Sequence, residues 1–132
     1  KMATTTASIT ISSGDLTGDA LSLSTTATLT KANSSTGLDQ TTGVARKFFA
    51  SAQANTTLIA AADYTAGKAH KVYIKNTSTS NSEFVKIELG ALSLGFLYGG
   101  DFMFIPYDGE NNIVIDTSDP NMTVEFLVIY EA

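Results

Sequence analysis

The segment Leu21-Ser22-Leu23-Ser24-Thr25-Thr26-Ala27-Thr28-Leu29-Thr30 sets Leu21, Leu23, Thr25, Ala27 and Leu29 at strict period two, with Ser and Thr filling most of the positions between them. Successive side chains of a strand point to opposite faces, so this alternation predicts a half-buried strand. Threonine is β-branched and fits a pleated surface, which makes the Thr- and Ser-rich N-terminal half strand material and not linker. Outward from this segment, apolar runs predict further strands over 7–11, 44–51, 56–60, 71–76, 83–89, 92–97, 101–106, 112–117 and 123–130. With 21–30 that makes about ten, at the spacing of a sandwich or barrel. Turn residues punctuate them at Ser13-Gly14-Asp15, 76–81, Gly99-Gly100-Asp101, Asp108-Gly109 and Asp119-Pro120, and the glycines at 99 and 100 suggest a hairpin. Only 59–66 is compatible with a helix, and then for a single turn. The expected fold is all-β, an antiparallel sandwich or barrel of about ten strands. Residues 1–13 are expected to form an N-terminal arm or edge strand, and 14–132 a single sandwich domain.

Composition narrows the function classes. The 132 residues are 43% hydrophobic and 16% charged, the balance of a chain that folds. A net charge of −5 with only eight Lys plus Arg disfavours nucleic acid and anionic lipid as partners, because clustered positive charge supplies most of that affinity. The absence of cysteine removes thiol chemistry. No apolar run approaches the roughly 20 residues that cross a bilayer as a helix, and Met2 is followed by Thr and Ser instead of an apolar leader, so a soluble protein without a secretion signal is expected. Aromatic residues before position 67 are limited to Phe48, Phe49 and Tyr64, which places the expected core in the C-terminal half.

Little in the chain suggests catalysis. His70 is the only histidine and begins a strand beside Lys71, where a solvated or lightly bonded imidazole is expected. The carboxylate pairs Asp15/Asp19, Asp108/Glu110 and Asp116/Asp119 all lie in or beside turns, where Asp bonds its own backbone. Asp108, Glu110 and Asn112 alternate as oxygen ligands for calcium would, but without the rest of a binding loop. Asn33, Asn55, Asn76 and Asn121 begin formal glycosylation sequons, as chance provides in so Thr- and Ser-rich a chain. No catalytic residue, cofactor or metal is therefore expected.

Contact surfaces are better supported. Phe102-Met103-Phe104-Ile105 is apolar on both faces, and so is the end of the last strand, where Leu127 and Ile129 lie opposite Phe126, Val128 and Tyr130. A sheet with one solvated face does not read this way. Phe48, Phe49, Met103, Ile105, Leu127 and Ile129 are the expected subunit contacts on that ground. Ile9 and Ile11 join them because the segment 2–13 could add a strand to a neighbour's sheet edge.

The stretch Thr36-Gly37-Leu38-Asp39-Gln40-Thr41-Thr42-Gly43-Val44-Ala45-Arg46 resembles structural proteins of tailed phages, especially marine cyanophages. Lys71-Val72-Tyr73-Ile74-Lys75-Asn76-Thr77, Glu83-Phe84-Val85-Lys86-Ile87-Glu88-Leu89-Gly90 and Leu97-Tyr98-Gly99-Gly100-Asp101-Phe102 resemble them too, and the likeness spans most of Ala7 to Ile115. The resemblance implies a non-enzymatic virion component folded as an antiparallel β-sandwich, jelly-roll-like, with about ten strands: a decoration or cement protein that oligomerises and binds the major capsid protein or other virion proteins, or else a neck, tail or fibre component. It supplies no catalytic residues. A carbohydrate-binding module is the alternative, with Tyr73, Phe84, Tyr98 and Tyr107 as its candidate rings.

Overall fold

A computed structural model describes residues 3–132. The chain divides into two compact units, the first running to Asp39 and the second spanning Gln40–Ala132. All strand pairings are antiparallel.

The first unit is built on β1 (Thr6–Ser13) and β2 (Leu21–Thr28), which pair along their whole length to form a ribbon. The expected division after residue 13 thus falls inside this unit, between β1 and its partner. Facing residues of an antiparallel pair share a face. One face therefore carries Ile9 opposite Thr25 and Ile11 opposite Leu23, with Ala7 opposite Ala27 and Ser13 opposite Leu21. The other carries Ser and Thr alone, joined by Ser8 Oγ to Thr26 Oγ1 at 2.7 Å. The half-buried strand expected over 21–30 is corrected here: every residue of β2 is exposed, and burial begins only at Leu29. A two-stranded ribbon has nothing behind it, so alternation in sequence does not become burial. Beyond the ribbon, Leu29 and Leu38 are buried and bonded through the Leu38 N–H to the Leu29 carbonyl, and Lys31 pairs with Asp39 at 2.8 Å.

The second unit contains β3 (Gln40–Thr41), β4 (Ala45–Phe49), β5 (Thr56–Ile59), β6 (His70–Asn76), β7 (Phe84–Leu89), β8 (Leu92–Tyr98), β9 (Phe102–Tyr107), β10 (Ile113–Thr117) and β11 (Met122–Tyr130). A single 3-10 turn, Ala61–Asp63, lies where the one helical turn was expected. Strand pairing is nested: β4 with β11, β5 with β10, β6 with β9 and β7 with β8. Lateral pairing of β11 with β6 and of β10 with β7 produces two sheets, β4-β11-β6-β9, whose β11 also pairs with β3, and β5-β10-β7-β8. Glycine makes the tight reversal between β7 and β8, where Gly90 takes φ +60°. The Gly99-Gly100-Asp101 turn is not the hairpin expected. Its flanking strands β8 and β9 belong to different sheets, so the turn carries the chain from one sheet to the other.

The inward positions of both sheets enter one core, with Val72, Ile74, Val124 and Val128 from one and Val85, Ile87, Ile113 and Ile115 from the other. All eight are almost fully buried. At one end Asn76, also buried, gives its amide N–H groups to the carbonyls of Glu83 and Leu97, each at 3.0 Å, and accepts the Ser78 N–H.

Candidate functional site

Strand period places Val72 and Ile74 of β6 in the core and therefore turns Lys71, Tyr73 and Lys75 outward. Tyr73 faces Phe104 of β9 and Leu127 of β11, and Lys75 faces Phe102 and Glu125. Across β11, Glu125 faces Arg46 and Thr123 faces Phe48. Phe48, Phe102 and Phe104 remain 61%, 57% and 41% exposed on this outer face. The Glu125 carboxylate accepts Arg46 Nε–H at 2.8 Å and the Tyr73 hydroxyl at 3.0 Å, and these bonds, Arg46's foremost, hold it below the usual carboxylate range. Burial conversely pushes the Lys71 ammonium down, with the nearby Glu131 charge opposing, while its Nζ donates to the Ala69 carbonyl at 2.8 Å. The result is an aromatic surface with three cations, Arg46, Lys71 and Lys75, against the carboxylate of Glu125 and, beside Lys71, that of Glu131.

A second aromatic surface lies on β7 and β8. Phe84 faces Tyr98 and Lys86 faces Phe96. The Phe84 ring centroid is 5.1 Å from that of Phe96 and 5.9 Å from that of Tyr98, at interplanar angles of 83° and 63°. Edge-to-face rings of this kind cohere but form no flat platform for a sugar ring. Leu92 and Leu94 of the same edge strand are also exposed, and β8 carries no charge from Leu92 to Tyr98.

The remaining aromatic cluster is internal. Of the two expected states of His70, solvated or lightly bonded, the structure has the bonded one, fully buried: Thr65 O accepts from Nε2 at 2.8 Å, and the Glu131 N–H donates to Nδ1 at 3.3 Å. These partners define a neutral imidazole with its proton on Nε2. Tyr64 packs edge-on against Tyr107 and Tyr130 around it. Burial first, and then the Tyr64 and Asp108 neighbours, push the Tyr107 hydroxyl up to about 12. An open depression of about 250 Å³ adjoins this cluster, lined in part by Lys68, Lys71, Leu89 and Asp108.

The carboxylates are engaged locally. Asp108 Oδ1 accepts the Glu110 N–H at 3.0 Å, while Asn112 Oδ1 accepts the Ala61 N–H at 2.9 Å, so the two side chains serve different turns. Asp116 takes the Asn55 N–H, and Asp119 the Ser118 hydroxyl. Among the described residues no three His, Asp or Glu side chains converge on a metal-sized space. Three of the sequon asparagines, Asn33, Asn55 and Asn121, occupy left-handed turn positions with φ between 51° and 60°. That is a conformation asparagine tolerates better than most residues.

Of the expected contact residues, Ile9, Ile11 and Phe48 are exposed, and Leu127 and Ile129 are half-buried. Phe49 belongs to the core, and Met103 and Ile105 pack against it, so those three are corrected from surface to interior. The β9 strand is apolar on both faces as expected, but Phe102 and Phe104 are the outward pair. Sequence reasoning missed Phe96, Phe102 and Phe104. The β9 strand is apolar at both parities, so the sequence held no signal for which of them faces out. Of the candidate sugar-binding rings, Tyr107 is core, Tyr73 and Phe84 are half-buried, and Tyr98 is exposed. The chain matches no protein-family model, no curated protein and no solved structure.

Proposed function

We propose that this chain is a non-enzymatic structural component of a tailed-phage virion, a decoration or cement protein that sits on the capsid through the exposed edge of β8. Its second unit is taken as a jelly-roll sandwich. The nested pairing of eight strands, first with last and inward to β7 with β8, is that of one long ribbon rolled up, and both sheets share a core. Double-sheet jelly rolls recur in viral capsid and lectin domains.

Fold alone does not assign function. The observation that carries the reading is the set of exposed apolar residues Leu92, Leu94, Phe96 and Tyr98, between 44% and 70% exposed, along an edge strand that bears no charge and whose register against β7 shifts between Ile87 and Glu88. Contiguous exposed apolar surface marks a site of macromolecular contact. The perpendicular setting of Phe84 on Phe96 favours a protein neighbour over a sugar. Many copies on a lattice also make a modest contact sufficient.

The test is co-sedimentation with empty heads and with isolated tails of a tailed cyanophage. Saturable binding to heads is expected, and it should be lost in a Leu94→Ser, Phe96→Ser double variant whose circular dichroism is unchanged. Binding to tails alone would move the protein to the tail. Binding to neither would overturn the reading.

A further inference from the structure

The β1–β2 ribbon is a strongly two-faced element with no core of its own. Ile9, Ile11, Leu21 and Leu23 lie on one face and are 38% to 48% exposed within a single chain, while the opposite face is wholly Ser and Thr. An isolated two-stranded ribbon is marginal in water, so that apolar face calls for a cover. The outer face of the β4-β11-β6-β9 sheet is also uncovered within a single chain, at Phe48, Phe102 and Phe104.

We propose that two copies of this chain exchange ribbons, the apolar face of each ribbon lying on the outer face of the β4-β11-β6-β9 sheet of the other. Charge favours this pairing. Asp15 and Asp19, in the loop joining β1 to β2, are the only charged residues between positions 3 and 30, whereas the sheet face carries Arg46, Lys71 and Lys75 against Glu125. Two acidic tips meet a surface whose cations outnumber its carboxylates even with the Glu131 charge beside Lys71 counted. Dimensions agree as well, since eight residues of ribbon extend about 27 Å and nine-residue β11 about 30 Å.

Area separates this arrangement from the simpler one. Ribbon on ribbon would bury on the order of 600–700 Å² in total, the size of an incidental contact. Two reciprocal ribbon-on-sheet contacts would bury on the order of 1,400 Å², within the range of stable dimers. Reciprocal exchange also closes on itself and leaves no free end to propagate a filament. The inference concerns a different face from the β8 edge and stands whether or not the virion reading holds.

Sedimentation equilibrium of the full chain over a micromolar to millimolar series tests it. A reversible dimer is expected. Ile11→Ser with Leu23→Ser in one variant, and Phe102→Ser with Phe104→Ser in another, should each give monomers. Mixing the two variants should give a heterodimer weaker than the wild-type dimer and visible at the millimolar end of the series, because one of the two contacts remains intact between them. Ribbon-on-ribbon packing would give no such recovery. Asp15→Asn with Asp19→Asn changes no apolar surface. It should weaken the dimer several-fold at low salt and have little effect at high salt, where exposed charges are screened. A wild-type monomer across the series, a dimer indifferent to the ribbon substitutions, or mixed variants that stay monomeric would each overturn the proposal.

Discussion

Asn76 does more for the second unit than its short polar side chain suggests. It is fully buried, and its amide serves the carbonyls of Glu83, just before β7, and Leu97 of β8, while its backbone bonds the β8–β9 turn at Gly100 and Asp101. Replacing it with Ala leaves two buried carbonyls unpaired, at about 1–3 kcal/mol each. Asn76→Ala should therefore lower the denaturant midpoint markedly, and unchanged stability would show that water replaces the amide. Tyr107 offers a second reading at this scale. Its hydroxyl donates to the Asn111 carbonyl at 2.8 Å, and its pKa is raised to about 12. The unfolded chain begins to ionise this tyrosine near pH 10, while the folded chain keeps it neutral. The contribution is thus complete below about pH 10 and is lost as pH rises from about 10 to 12. Burial also pushes the Tyr64 and Tyr73 hydroxyls up, so a near-ultraviolet titration should show a late tyrosine component that Tyr107→Phe reduces by one hydroxyl at its most alkaline end.

Among the elements, the strand alternation of the C-terminal half becomes burial where inward positions of both sheets enter one core. In β6 the order of burial follows the period, with Val72 and Ile74 inside and Tyr73 and Lys75 at the surface. The β8–β9 turn is a tightly constrained connection. A Cβ on Gly99 would stand 2.2 Å from the Ser80 carbonyl oxygen and 2.8 Å from its carbon, so the 76–81 segment would have to move. Gly99→Ala should cost about 1–3 kcal/mol, as overpacking does. Gly14→Ala, with nothing within 4 Å of its built Cβ, should leave stability nearly unchanged in the same melting experiment. The positions of the strands were legible from turn residues and apolar runs, and ten of the eleven were anticipated. The two-residue β3 was not, since a pair of residues shows no period. Which strands pair was not legible either, because nested pairing joins segments up to about 80 residues apart, such as Arg46 with Glu125.

At the scale of the whole molecule, the two units should differ sharply in autonomy. The second contains the shared core, while the first buries only Leu29 and Leu38 among its large apolar residues. A chain of residues 40–132 should unfold cooperatively by calorimetry, and a peptide of residues 1–39 should show no cooperative transition. A well-folded 1–39 peptide would contradict the view that the ribbon depends on a partner. The candidate contact surfaces were legible only in part. Two-faced apolarity in β9 announced an exposed apolar face, yet the choice between Met103 and Phe102 depends on which parity faces the core, and a strand that is apolar throughout does not declare it.

Composition, turn chemistry and period two were sufficient by themselves for an all-β chain with its strands in place and its core in the C-terminal half. These are local properties, written in residues close together in the chain. Tertiary structure alone decided the nested pairing, the interior positions of Phe49, Met103 and Ile105, the buried neutral state of His70 and the exposure of β2. Each depends on what lies opposite a residue in space, and a pattern of alternation specifies two faces without specifying which of them, if either, is covered.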